Sequence, residues 1–427
     1  MTRLRRLLVP LCIVVVSSGC VGKSAPQADR QSGRQSAPFR TGAEVLAADG
    51  FAPLLGLRVG AVVNQTSQVE GVHLVDAMLQ GGVEVAALFG PEHGVRGEAG
   101  AGVAVESGRD AETGLPVYSL YGETRKPDAA VLADLDALVF DIQDVGARFY
   151  TYISTLGLTM QAAAEAGRPF YVLDRPNPLG GELLAGYVLE EGFETFVGAY
   201  PIPVAYGLTV GELAKMIKGE GWLPGLDSLD LVVIELEGWN RTMRWPDLAR
   251  TWVPTSPNIP DYETAAVYPG MCFLESLSVS EGRGTDRPFL QFGAPWITAD
   301  SLAATLNARR VSGVTFTPTR YTPVSMPNAA PNPRYRDQEL PGVAIDVTSD
   351  DDLEPLRLGV EVLVALRDHA AAADETGLIR EASLRRLAGT NRLYEALQRG
   401  DTADEIVAQW QDEVKAFDEA RAPYLLY

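Results

Sequence analysis

Five short apolar runs, each closed at its carboxyl end by polar groups, constrain the fold of this chain more than any other feature. Residues 58–63 end in Asn64-Gln65-Thr66-Ser67, and residues 83–89 end in Gly90-Pro91-Glu92-His93-Gly94. Residues 115–121 end in Gly122-Glu123-Thr124, and residues 137–140 in Asp141-Ile142-Gln143-Asp144. The fifth run, 170–173, ends in Asp174-Arg175-Pro176-Asn177-Pro178. Helix-like stretches at 72–79, 129–135 and 152–166 lie between them. Strands alternating with helices predict a parallel sheet covered on both faces. Right-handed crossovers then bring every carboxyl end to one edge of the sheet. Glu92, Asp141, Asp144, Asp174 and Arg175 are expected to converge there on one cleft.

The turn after the second run is the most reactive of these clusters. A carboxylate and an imidazole side by side in a Pro/Gly turn have no packing role. Glu92 can serve as a general acid or base, with His93 beside it to hydrogen-bond or tune it. The bland alternative is a polar surface turn.

Seven segments carry a family resemblance: GPEHGVRGEAGAG (90–102), FDIQDVGARFYTYISTL (140–156), VLDRPNPLGG (172–181), VPTSPNIP (253–260), YPGMCFLES (268–276), SEGRGTDRPF (280–289) and the terminal YLLY (424–427). In this order they resemble the exo-β-N-acetylmuramidases of the NamZ (YbbC-like) family, from about residue 56 to the C-terminus. The resemblance implies an α/β fold: a Rossmann-like N-terminal domain with a parallel sheet, plus a smaller α/β C-terminal domain. It implies release of N-acetylmuramic acid from the non-reducing end of peptidoglycan fragments, without a cofactor. The family's catalytic glutamate falls on Glu92. One departure is visible: similar proteins often carry Arg-His where this chain has Ala205-Tyr206.

Glycoside hydrolysis commonly uses two carboxyl groups astride the scissile bond. With Glu92 as the acid, Asp141, Asp144 and Glu281 are candidates for the second. The substrate's lactyl carboxylate calls for a cation, best a bidentate arginine. Arg148, Arg175 and Arg283 each lie in a polar loop beside a candidate cleft residue; the alternative for each is a structural ion pair. His93, Asp174, Asn177 and Asn258 complete the expected substrate contacts. Two other readings compete: an exo-N-acetylglucosaminidase, and a non-catalytic envelope lipoprotein that binds wall sugars.

A chain of 427 residues can bury a sizeable core and is expected to form two domains, 39–262 and 263–427, the second completing the cleft. A net charge of -20 argues against a nucleic-acid partner. Arg3, Arg5 and Arg6 precede an apolar stretch, 7–16, too short to span a bilayer. Ser17-Ser18-Gly19-Cys20 follows and resembles a lipoprotein cleavage box, with Cys20 the lipidated residue. Residues 1–20 therefore read as a lipoprotein signal peptide and 21–38 as a flexible tether to the envelope membrane. Cys272 has no cysteine partner in the globular part and reads as a small buried hydrophobe. The three histidines show no zinc spacing, so no metal site is expected. Gly22-Lys23-Ser24 lacks the context of a phosphate loop, and the glycines at 94, 97, 100 and 102 do not spell a dinucleotide fingerprint.

Overall fold

Six parallel strands form the main sheet: β1 (Arg58–Val63), β2 (Glu84–Gly90), β3 (Pro116–Ser119), β4 (Ala137–Asp141), β5 (Phe170–Leu173) and β6 (Leu231–Ile234). Their spatial order is β3-β2-β1-β4-β5-β6, and a two-residue strand, Gly108–Arg109, adds antiparallel to the outer edge of β3. This is the doubly wound order, in which the winding direction reverses between β1 and β4. The structure is a computed structural model, and the residues it describes are 2, 38–97, 107–122 and 124–427. The signal segment, Cys20, most of the tether, Gly100, Gly102 and Glu123 lie outside the described residues.

Side chains alternate across the strands and bury both faces. Leu138 and Phe140 join one apolar core, with Phe89, Phe170 and Val172. Val139 joins a second core, with Val59, Ala61, Val63 and Leu173. The first face is covered by the helix Tyr152–Ala166, which ends at Gly167 in the left-handed conformation, and by the helix Val210–Gly219. The second helix starts in a capping box, Thr209 with Glu212. The opposite face is covered by Leu74–Gln80 and Gly42–Ala48.

The later part of the chain adds a three-stranded antiparallel sheet, Gln291–Gly293, Val314–Tyr321 and Leu340–Val347, with the last in the middle. A long helix, Pro355–Ala372, packs on the helix Tyr262–Met271. The two approach so closely at Gly270 and Gly359 that a Cβ on Gly270 would lie 1.9 Å from the Pro355 carbonyl oxygen. This contact anchors the turn Cys272–Ser276 that follows. Towards the C-terminus two short helices follow one another, Ala403–Ala408 and Gln411–Arg421. Trp410 sits at the break, where its buried ring packs edge-on to Tyr187. The described residues from 38 onward form one compact unit, and their largest apolar core includes residues from Val62 to Phe417. No helix among the described residues is long and apolar enough to cross a membrane.

Candidate active site

The turn after β2 folds back on itself. Gly94 N donates to the Pro91 carbonyl at 3.0 Å. His93 and Gly94 are both left-handed, with φ of 74° and 80°. A positive φ is ordinary for glycine but strained for histidine, and such strain gathers at functional sites. The result buries His93 and leaves Glu92 half-buried on the wall of a cavity of about 180 Å³.

Glu92 is held by hydroxyl groups from two neighbouring segments. Thr151, just before the helix Tyr152–Ala166, donates its Oγ1 to Glu92 Oε2 at 3.0 Å. Tyr121, beyond the end of β3, hydrogen-bonds the same carboxylate; burial first, and then Glu92, push the phenol up to about 12. Tyr150 and Tyr152 add aromatic wall and fix the loop opposite. Their hydroxyls donate to Thr255 Oγ1 (2.9 Å) and to the Thr255 carbonyl (2.7 Å). Gln65, in the turn after β1, holds that loop through the Pro254 and Thr255 carbonyls at 2.9 and 3.0 Å. The loop presents Asn258 to the cavity, and Asn258 Nδ2 donates to the Ala329 carbonyl at 2.8 Å.

The later half of the chain supplies the remaining wall: Tyr268, Cys272, Glu275, Arg283, Phe289 and Arg386. Arg283 pairs with Glu275 at 2.6 Å and with Glu281 at 3.4 Å, and lies over the Phe289 ring. Burial raises the Glu281 carboxyl above its ordinary value. Burial also pushes the Cys272 thiol well up, which suits a packing residue better than a nucleophile. A larger vestibule of about 600 Å³ adjoins the cavity, sharing Glu275, Arg283 and Arg386 with it.

Of the residues expected from sequence, the cavity gathers Glu92, His93, Asn258 and Arg283, while Glu281 faces the vestibule. The expected convergence of Glu92 with Asp141, Asp144 and Asp174 is not seen. Asp141 is fully buried in a bidentate pair with Arg175, at 2.6 and 2.8 Å. The end of β4 is also covered, since the Ser67 hydroxyl donates to the Asp141 carbonyl. Asp174 accepts from Gly211 N (2.7 Å), Thr209 Oγ1 (2.8 Å) and the Tyr427 hydroxyl (2.7 Å), which docks the C-terminus. Asp144 is buried against Tyr206 and Gly146 N. Arg148 is spent on four carbonyls, those of Tyr187, Ile202, Leu387 and Ala388. Asn177 accepts from Leu179 N and donates to the Leu208 carbonyl. The carboxyl edge of the sheet is therefore open at β2 and β3 and closed at β4 and β5. Sequence reasoning did not single out Tyr121, Thr151, Glu275 or Arg386. The first three lie in or beside segments already marked by pattern or motif; no signal marked Arg386.

Comparison with known proteins shows the family of the chain. Residues 59–263 match the family model for the N-terminal part of the exo-β-N-acetylmuramidase NamZ, and residues 266–427 match its C-terminal part. The chain belongs to the NamZ family. The peptidoglycan β-N-acetylmuramidase NamZ of Bacillus subtilis is 37% identical to this NamZ-family chain over 406 residues, 95% of each protein. Two solved structures of DUF1343 family proteins from Bacteroides fragilis share its fold. One has a TM-score of 0.83 at 35% identity, covering 91% of this chain and 99% of its own. The other has a TM-score of 0.74 at 32% identity, covering 92% and 99%.

Proposed function

We infer that this chain is an exo-acting β-N-acetylmuramidase, a glycoside hydrolase that releases N-acetylmuramic acid from the non-reducing end of peptidoglycan fragments. One observation carries the reading. In a chain that matches this family across both halves, the glutamate of the GPEHG turn lies on the wall of a small cavity lined by tyrosines. A small cavity suits a terminal sugar better than the middle of a glycan. Aromatic walls suit the apolar faces of a pyranose ring.

In the proposed mechanism the Glu92 carboxyl gives its proton to the glycosidic oxygen as the bond to the anomeric carbon breaks. Thr151 and Tyr121 hold it in place. Glu275 is the other carboxylate on the cavity wall among the described residues. It either takes a proton from the attacking water or attacks the anomeric carbon itself, so the anomer first formed separates the two routes. Glu281 lines the vestibule and not the cavity, and Asp141 and Asp144 are buried away from the cavity wall.

The test is incubation of the purified protein with the disaccharide N-acetylmuramyl-β-1,4-N-acetylglucosamine, with products followed by NMR. Equimolar release of both sugars is expected, together with preference for muramic over glucosamine chromogenic glycosides. Saturable binding with no release of monosaccharide would overturn the reading. We further propose a lipid anchor at Cys20 that tethers the enzyme in the cell envelope; the basic, apolar and Ser-Gly-Cys succession of residues 3–20 supports it. Metabolic labelling with a fatty-acid analogue should mark the wild type and not Cys20→Ala.

A further inference from the structure

We propose that the vestibule beside the Glu92 cavity is a carboxylate subsite, in which Arg386, assisted by Arg334, binds the lactyl carboxylate on O3 of the muramyl residue. This rests on the activity inferred above and names what selects its substrate. The overall charge opposes such a ligand: 56 acidic side chains face 36 basic ones. The vestibule reverses that balance locally, with Arg283, Arg334, Arg380 and Arg386 against Glu275 and Glu281. An anionic substrate needs such a reversal to approach and stay.

The four arginines are not equivalent. Arg283 is occupied by Glu275 and Glu281. Arg380 donates to the Glu275 backbone carbonyl. Arg334 and Arg386 make no ion pair with any described residue. Of these two, only Arg386 lines both the cavity and the vestibule, so it stands where a substituent leaving the sugar ring would emerge.

Arg386 is also well supported from behind. It lies in the helix Glu381–Ala388, whose end is capped by Gly389 at φ 71°. Buried Arg148 donates to the terminal carbonyls of Leu387 and Ala388 at 3.0 and 2.7 Å, a favourable cation at a helix C-terminus. Its neighbour Arg385 turns elsewhere, to Glu381 at 2.7 Å and over the Tyr394 ring. The backbone is fixed while the Arg386 guanidinium stays available. Muramic acid differs from glucosamine by one lactyl ether, and a planar guanidinium matches its carboxylate with two parallel hydrogen bonds. Arg148 therefore positions the helix that carries the clamp.

The experiment compares kcat/KM for two chromogenic glycosides, that of N-acetylmuramic acid and that of its neutral lactyl N-methylamide. Wild type should favour the acid by about tenfold or more, the scale of a charge-assisted hydrogen bond. The preference should fall to near unity in Arg386→Ala and survive in part in Arg386→Lys, which keeps the charge without the fork. Arg320→Ala, which removes a remote exposed cation, should keep the wild-type preference and so controls for overall charge. An unchanged acid preference in Arg386→Ala, with an unchanged melting temperature, would overturn the proposal. So would a wild type indifferent to the amide. Calorimetric binding of free N-acetylmuramic acid should weaken by a similar factor in Arg386→Ala. Because that arm needs no turnover, loss of the clamp and failure of the hydrolase reading give different results.

Discussion

The ends of β2 and β4 look alike in sequence, each an apolar run closed by a carboxylate, yet the fold treats them oppositely. Asp141 meets a complementary cation, Arg175, and the pair is sealed beneath the turn after β1. Glu92 is hydrogen-bonded by the hydroxyls of Thr151 and Tyr121 and keeps one side on a cavity. A buried carboxylate given a full counter-charge is spent on structure. A carboxylate held by hydroxyls on a half-open wall keeps its proton chemistry available. Position at the carboxyl edge of an α/β sheet is thus necessary for a reactive group there, and the partner decides the rest.

Two substitutions push on this contrast hardest. Glu92→Gln preserves shape and removes the transferable proton. The rate on a muramic chromogenic glycoside should fall by about 10²–10⁴-fold, with little change in melting temperature. Near-wild-type turnover would remove Glu92 from the chemistry. Asp141→Ala should behave in reverse. It leaves Arg175 buried without its partner and should cost about 3–5 kcal/mol in urea unfolding. If Asp141→Ala is as stable as wild type but inactive, the two strand ends have been assigned the wrong way round.

Much of the sheet was legible because strand periodicity is local. The run 170–173 and the helix 152–166 coincide with the observed Phe170–Leu173 and Tyr152–Ala166. The strand Leu231–Ile234 was not among the five runs: it is an edge strand, half-buried along its length. Glu92 was legible because a carboxylate next to an imidazole in a Pro/Gly turn is an unusual pairing for a turn. Its partners were not, since Thr151 and Tyr121 are ordinary residues until three strand ends are brought together. Arg148 shows the limit most clearly. As a sequence feature it is a cation beside Asp144 in a polar loop, but it bonds to carbonyls up to 240 positions away. Long-range partners of this kind leave no periodic trace.

Asp144 allows a subtler comparison with Asp141. Burial pushes its carboxyl up to about 7, against the help of Tyr206 and Gly146, and its Oδ1 finds no partner among the described residues. The folded-state value therefore lies above the unfolded one, and the folded protein holds the extra proton between about pH 4 and 7. The stability this contributes is present at low pH and is lost as pH rises through about 7. Urea unfolding should show wild type losing stability between pH 5 and pH 8. Asp144→Asn should flatten that slope, leaving the part due to Asp174, which burial also raises to about 7. An identical slope in the variant would mean that Asp144 is ionised throughout.

The smallest expected effect tests the hydroxyl partners themselves. Thr151→Val is nearly isosteric and removes only the 3.0 Å bond to Glu92 Oε2. Losing one such hydrogen bond should lower kcat/KM by roughly two- to tenfold. That loss alone does not tell positioning from a general disturbance at the start of the helix Tyr152–Ala166. The Glu92→Gln background separates them. If Thr151 acts by orienting the Glu92 carboxyl, its removal should matter much less once the acid is gone, and the double variant should be less impaired than the two losses combined. Full additivity would place Thr151 among the structural residues, as at β4, and would leave Tyr121 as the hydroxyl that orients the acid.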